Sequence, residues 1–159
     1  MDSSRERLRQ LHIAFNHVDS PNPGNGAGIF IRATALKLTS SIVWGNTRGA
    51  GTANDIDGDS GGTLTGNHNL FASSSFGFEA NTLMGFNPQL LPLASNGGPT
   101  SAHALSAGSP AIDAGLLHLP AGGDQRGPDY PRKVGPKQDM GAYEFDTAHV
   151  VRDGFDRAT

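Results

Sequence analysis

Apolar residues recur at every second position over short runs: Ile29 and Ile31, Leu36 and Leu38, Ile42 and Trp44. Period two is the spacing of a β-strand with one buried face, and the pattern carries no 3.6-residue helical stripe. Three such runs meet an asparagine: LHIAFNHVDS (11–20), LTSSIVWGNT (38–47) and LTGNHNLFAS (64–73), at Asn16, at Asn46 and at Asn67 or Asn69. The intervals are 46 − 16 = 30 and 69 − 46 = 23 residues. Shorter strand candidates, AGIFIRA (27–33) and NDIDG (54–58), lie between them. Recurrence every few tens of residues predicts stacked repeats, because one set of short strands cannot bury its apolar face and the next set can cover it.

The connections are longer and less regular than two-residue hairpin turns, which predicts strands that return in parallel, one coil above another. Gly45-Asn46 then reads as a coil corner, since Gly and Asn tolerate positive φ. Asn16, Asn46 and Asn69 become candidates for ladders of stacked amides at such corners. Composition agrees: 22 Gly and 10 Pro among 159 residues demand many turns and disfavour a helical bundle, and the length suits one domain.

Several function classes fall away. The chain has no cysteine, so it has no disulfide, zinc-thiolate site or thiol nucleophile. A net charge of −3 gives no electrostatic footprint for nucleic acid. Arg126, Arg132, Lys133 and Lys137 form a basic stretch punctuated by Pro128, Pro131 and Pro136, which predicts a solvated loop. No run of about 18 apolar residues could span a membrane. MDSSRERLRQLHIAF carries Arg5, Arg7 and Arg9 but no apolar core of a secretory signal, so residues 1–10 read as an N-terminal arm or a truncation point.

NDIDGDSGG (54–62) places Asp55, Asp57 and Asp59 at alternate positions, the spacing with which a Ca²⁺ loop presents oxygen ligands. An EF-hand is excluded, because counting from Asp55 the sixth and twelfth positions are Ser60 and Gly66. A looser Ca²⁺ site at a turn is one expectation and a solvated polar turn is the other. The histidines, at 12, 17, 68, 103, 118 and 149, show no metal-binding spacing, and packing or a turn hydrogen bond is the plainer role for His68 and His103. GAGTAND (49–55) lacks the Lys-Ser/Thr of a phosphate loop.

The second half changes character. Pro88 and Pro92 cannot continue a ladder, SNGGP (95–99) must turn, and Leu105, Ala111 and Ile112 predict a final strand closed by Tyr143 and Phe145. A cap of this kind would cover the open strand edge of a solenoid, which otherwise invites self-association. Asp113, Asp124, Arg126, Asp139 and Glu144 include the paired carboxylates and arginine of sugar-cleaving sites. The reading preferred is structural: IDAG, DQRG and QDMG each set Asp shortly before Gly, as in an Asx turn, and the planar fork of Arg126 suits a carboxylate clamp.

GNGAGIFIRATALKLTSSIVWGN (24–46) resembles one coil of the right-handed parallel β-helix, or pectin-lyase-like, superfamily. NPQLLPLASNGGPTSAHALSAGSPAIDAG (87–115), DQRG (124–127) and QDMGAYEF (138–145) resemble the C-terminal region of bacterial choice-of-anchor Q domain proteins. The ending VVRDGFDRAT (150–159) is loosely similar to the short Asp-Gly-Phe endings that follow such domains. The resemblance implies an all-β, right-handed parallel β-helix end segment of about three coils (11–86), a C-terminal cap (87–145) and a tail (146–159). It also implies a secreted or surface-exposed bacterial protein with further coils upstream, and a scaffold or adhesin-like role without catalysis. Trp44 and Arg48 are the candidate glycan-binding residues. The alternative is a fragment of a Ca²⁺-dependent polysaccharide lyase, with Asp55, Asp57 and Asp59 holding the ion and Arg48 as base.

Overall fold

The computed structural model describes residues 6–19, 26–116 and 122–147. His118, His149, most of the tail and the first half of the N-terminal arm lie outside the described residues. The described residues form fourteen strands and the protein is all-β. A first pass of the chain gives β1 (Glu6–Arg9), β2 (His12–Ala14), β3 (His17–Val18) and β4 (Ile29–Ile31). A second gives β5 (Ala35–Thr39), β6 (Ile42–Trp44), β7 (Thr47–Arg48), β8 (Thr52–Ala53) and β9 (Ile56–Gly58). β10 (Thr63–Thr65), β11 (Leu70–Phe71) and β12 (Leu83–Met84) follow, and the C-terminal region adds only β13 (Gly123–Asp124) and β14 (Gly127–Pro131).

Successive passes pair in parallel. The orders are β1-β5-β10, β12-β11-β6-β2 and β4-β9, and β3 lies parallel to β7. The register fixes the repeat: Glu6 pairs with Leu36 and His12 with Ile42, 30 residues on; Ile29 pairs with Ile56, 27 on; Ala35 pairs with Thr63 and Ile42 with Leu70, 28 on. The last step, Leu70 to Leu83, is 13 residues. The 23-residue interval to Asn69 is therefore corrected: Asn69 stacks on Ser41, whose N–H its side chain accepts at 3.1 Å, and belongs to a different corner from Asn46. Two antiparallel pairings, β7-β8 and β13-β14, also stand against the expectation of parallel strands alone.

The corners have a conformational signature. Gln10, Ser40, His68 and Asn81 have φ of 52°, 49°, 55° and 63°. Their spacings of 30, 28 and 13 match the register, so one left-handed residue turns the chain at the same place in every pass. Phe15 (φ 57°) and Gly45 (φ 70°) form a second such column, and Gly45 has no room for a side chain because the Phe15 ring lies against it.

Two apolar cores share one sheet. Val43 and Phe71 face Ile31, Leu36, Leu38 and Ile56, with Ile13 against them. Ile42 and Leu70, one residue before each, face the opposite way and pack with Ala102, Ala104, Leu105, Ala111, Met140 and Tyr143. Ile42 and Val43 are both fully buried, the behaviour of a parallel strand covered on both faces. The C-terminal region thus lies along the flank of β12-β11-β6-β2. This revises the expectation of a cap over the terminal edge: Leu105 forms only an isolated antiparallel bridge with Leu90, and Ala111 and Ile112 sit in a turn rather than a final strand. Gly141 N–H donates to Ser40 O at 2.7 Å and Leu116 N–H to Ser40 Oγ at 2.8 Å, fixing the region to the corner column.

Candidate functional site

Asn46 joins two passes. Its Oδ1 accepts from the Asn16 side chain at 2.8 Å and from Asn16 N–H at 3.1 Å, the amide ladder expected of these two residues. Its Nδ2 donates to Asp55 Oδ1 at 2.9 Å and to Ile13 O at 2.9 Å. Asp55 is fully buried, and its Oδ2 accepts from Ala72 N–H at 2.9 Å and Ser73 N–H at 3.1 Å. All the polarity of this carboxylate is used in joining the second pass to the third.

The two other aspartates of that motif take separate partners. Asp57 accepts from Asn54 Nδ2 at 3.2 Å and Gly58 N–H at 2.8 Å. Burial acts to raise its pKa, but the bonds from Asn54, Gly58 and Ser75 and the charge of Arg48 outweigh it and hold the group below its ordinary value. Asp59 accepts from Ala33 N–H and Gly61 N–H, both at 3.1 Å, and faces the exposed Arg32 at 3.5 Å. Among the described residues no three His, Asp or Glu side chains converge as a metal site would need. Trp44 is half-buried against the flank core, on a different face from Arg48.

The C-terminal carboxylates and arginines do come together. Asp124 takes Arg126 by its fork, Nε to Oδ2 at 3.0 Å and Nη2 to Oδ2 at 2.7 Å, and also accepts Glu144 N–H at 2.8 Å. The Arg126 guanidinium lies between two rings, 4.1 Å from the centre of Tyr130 and 3.8 Å from that of Tyr143. Asp124 also accepts Arg126 N–H two residues on, the expected Asx turn. Asp139 and Asp113 differ from that expectation: Asp139 accepts from Asp113 N–H at 2.7 Å and Phe145 N–H at 2.6 Å, and Asp113 accepts from Lys137 N–H at 3.1 Å. Glu144 accepts Val134 N–H and Asp139 N–H. The solvated basic loop is also corrected: Arg126 and Arg132 are buried, and Gly127–Pro131 is a strand, while Lys133 and Lys137 are exposed.

Burial pushes Glu144 up to about 7 and Asp139 above its ordinary value, and lowers Arg132. His12 is the polar member of the flank column His12, Ile42, Leu70 and Leu83. Burial, with His103 and Arg132 nearby, lowers it to about 3, and neither ring nitrogen has a hydrogen-bond partner. His68 and His103 make turn contacts, to Asn67 Oδ1 at 3.0 Å and Leu91 O at 2.8 Å.

A solvent-facing site, not among the sequence candidates, lies on the sheet β1-β5-β10. Arg7 and Lys37 are paired in register on neighbouring strands, and Lys37 pairs in turn with Thr65. With Ala35 and Thr63 they line a cleft of about 370 Å³. Adjacent strands lie about 4.8 Å apart, so the two cations repel. Among the described residues neither has a carboxylate partner. The arm reading hid this pair: residues 6–9 are the first strand, and Arg7 and Lys37 differ by the 30-residue repeat.

No family model, curated protein or solved structure matches the chain.

Proposed function

We propose that the chain is the end segment of a right-handed parallel β-helix in a secreted or surface-exposed bacterial protein, serving as a non-catalytic scaffold that binds acidic glycan. The fold reading is supported by parallel pairing at steps of 27 to 30 residues and by the resemblance of residues 24–46 and 87–145 to pectin-lyase-like and choice-of-anchor Q proteins. β1, β2 and β3 each stand at the end of their strand order, so upstream coils or a second copy would add there.

One observation carries the glycan reading: the in-register Arg7 and Lys37, flanked by Thr63 and Thr65, with no carboxylate to neutralise them among the described residues. A uronate-containing chain would supply that charge and accept hydrogen bonds from the hydroxyls. Affinity electrophoresis in polygalacturonate and in neutral dextran tests it. Retardation only by the acidic polymer, reduced in Arg7→Gln/Lys37→Gln, is the expected result; equal migration in both gels overturns it.

The second reading, a fragment of a Ca²⁺-dependent polysaccharide lyase, is favoured by the charge that Arg48 exerts on Asp57. It requires new chain ends on acidic polysaccharide in Ca²⁺, lost with a chelator and lost in Asp57→Asn.

A further inference from the structure

Where the first pass meets the C-terminal region a second cleft opens, of about 420 Å³, lined by Arg9, Gln10, Leu11 and His12 on one side and by Asp124, Arg132 and Ala142 among others on the opposite side. Its floor holds an incompletely satisfied cation. The Arg132 side chain is only 4% exposed. Its Nη2 donates to Asp139 O at 3.0 Å and to Gly141 O. Its Nε meets the Gln10 amide oxygen at 2.5 Å once that amide is turned to face it. Nη1 makes no hydrogen bond and lies 3.7 Å from Glu144 Oε2. A guanidinium carries five donors, and leaving some unmade in a buried site is costly.

The negative groups nearby are already engaged. Both oxygens of Asp124 are occupied by Arg126 and by main-chain N–H groups, and both oxygens of Glu144 accept main-chain N–H groups. Because Glu144 holds its proton up to about 7, Arg132 is only partly neutralised at neutral pH. Arg9 adds an exposed second cation at the rim, and the unpartnered ring of His12 stands in the wall. Leu11 and Ala142 give the cleft an apolar side, which a bare inorganic ion would leave unfilled.

We propose that this cleft binds a small organic carboxylate, its oxygens meeting Arg132 Nη1 and Arg9 and its carbon body lying against Leu11 and Ala142. The proposal stands apart from the glycan reading, since it uses neither Arg7 nor Lys37.

The test is an NMR titration of isotope-labelled protein at pH 7 with propionate, propionamide and sulfate, following the His12 ring and the Arg132 guanidinium. Propionate is expected to shift both saturably, propionamide neither, and sulfate more weakly than propionate. Arg132→Lys risks unfolding, because Arg132 holds the Asp139 and Gly141 carbonyls. Arg9→Gln lies on the surface and should weaken propionate about threefold, the worth of one screened charge, with an unchanged melting temperature. Arg7→Gln/Lys37→Gln should leave propionate binding unchanged. No saturable shift with propionate, equal shifts with propionamide, or shifts confined to the Arg7 and Lys37 strands would each overturn the proposal.

Discussion

Asn46 Nδ2 donates to Asp55 Oδ1 at 2.9 Å, and both residues are fully buried. The bond lies within an unbroken polar path from Asn16 to the main chain at Ala72 and Ser73, so one carboxylate links three passes. A buried carboxylate with four N–H donors loses much if any donor is orphaned.

Asp55→Asn replaces an accepting oxygen by an NH₂ group and sets donor against donor, whichever way the amide turns. The expected loss is on the order of 3 kcal/mol, read from chemical denaturation. Asp57→Asn, on a half-buried side chain with two local bonds, should cost far less. Equal costs would show that Asp55 does not join the passes.

Two buried groups set opposed pH dependences. Glu144 is raised to about 7, so the folded protein binds that proton more tightly, and stability from this group is complete below 4.5 and lost as pH rises to about 7. Asp139, also raised, acts in the same sense. His12 is lowered to about 3, so its contribution is complete above 6.5 and lost as pH falls towards 3. The single-group limits are about 3 kcal/mol for Glu144 and about 5 kcal/mol for His12, opposed between pH 4.5 and 6.5. Calorimetry should find a shallow profile there and a steep loss below it. His12→Leu, which restores the apolar column, should remove the acid loss and leave stability rising as pH is lowered from 7 to 4.5. An acid limb that survives in His12→Leu would place its cause elsewhere.

Gly141 fastens the C-terminal region to the first two passes. It has φ 93°, donates to Ser40 O, and presses its Cα side against the His12 ring, where a Cβ would collide with Nε2. Gly141→Ala therefore meets backbone strain and a steric clash together, and should cost about 3 kcal/mol or more. In a His12→Ala background the clash is relieved and only the strain remains, so the cost should fall. A double-mutant cycle that adds without coupling would separate Gly141 from His12.

How much of this was readable in the chain varies by element. ALKLT of β5 alternates cleanly, and Leu36 and Leu38 are buried while Lys37 is exposed, as period two requires. IVW of β6 is apolar throughout, and reading it as alternation put Ile42 and Trp44 in the inner core; Val43 lies there, and Ile42 and Trp44 face the flank. A continuous apolar triplet was the available sign of a strand covered on both faces. Asn46 was legible as a corner because a Gly precedes it. The corner column of Gln10, Ser40, His68 and Asn81 was not, since three of the four are not usual left-handed residues and only the register relates them. GPDYP of β14 was hidden by its prolines, which an edge strand tolerates. Burial of Arg126 and Arg132 depends on carboxylates and rings brought in by tertiary packing.

Arg7 and Lys37 are exposed, in register, and repel each other across neighbouring strands. A side chain kept for stability would lose stability when replaced, and one kept for an anionic ligand would not. Arg7→Glu separates the two roles. It sets a carboxylate opposite Lys37, turning cross-strand repulsion into attraction, so the melting temperature should hold or rise slightly. The same change should weaken binding to polygalacturonate by at least about tenfold, since it removes one cation and adds an anion within the cleft. Raising the salt concentration should weaken the wild type towards the variant, because the charges are exposed and screened. A variant that melts lower and binds as well as the wild type would make Arg7 a structural residue and leave the cleft without its proposed ligand.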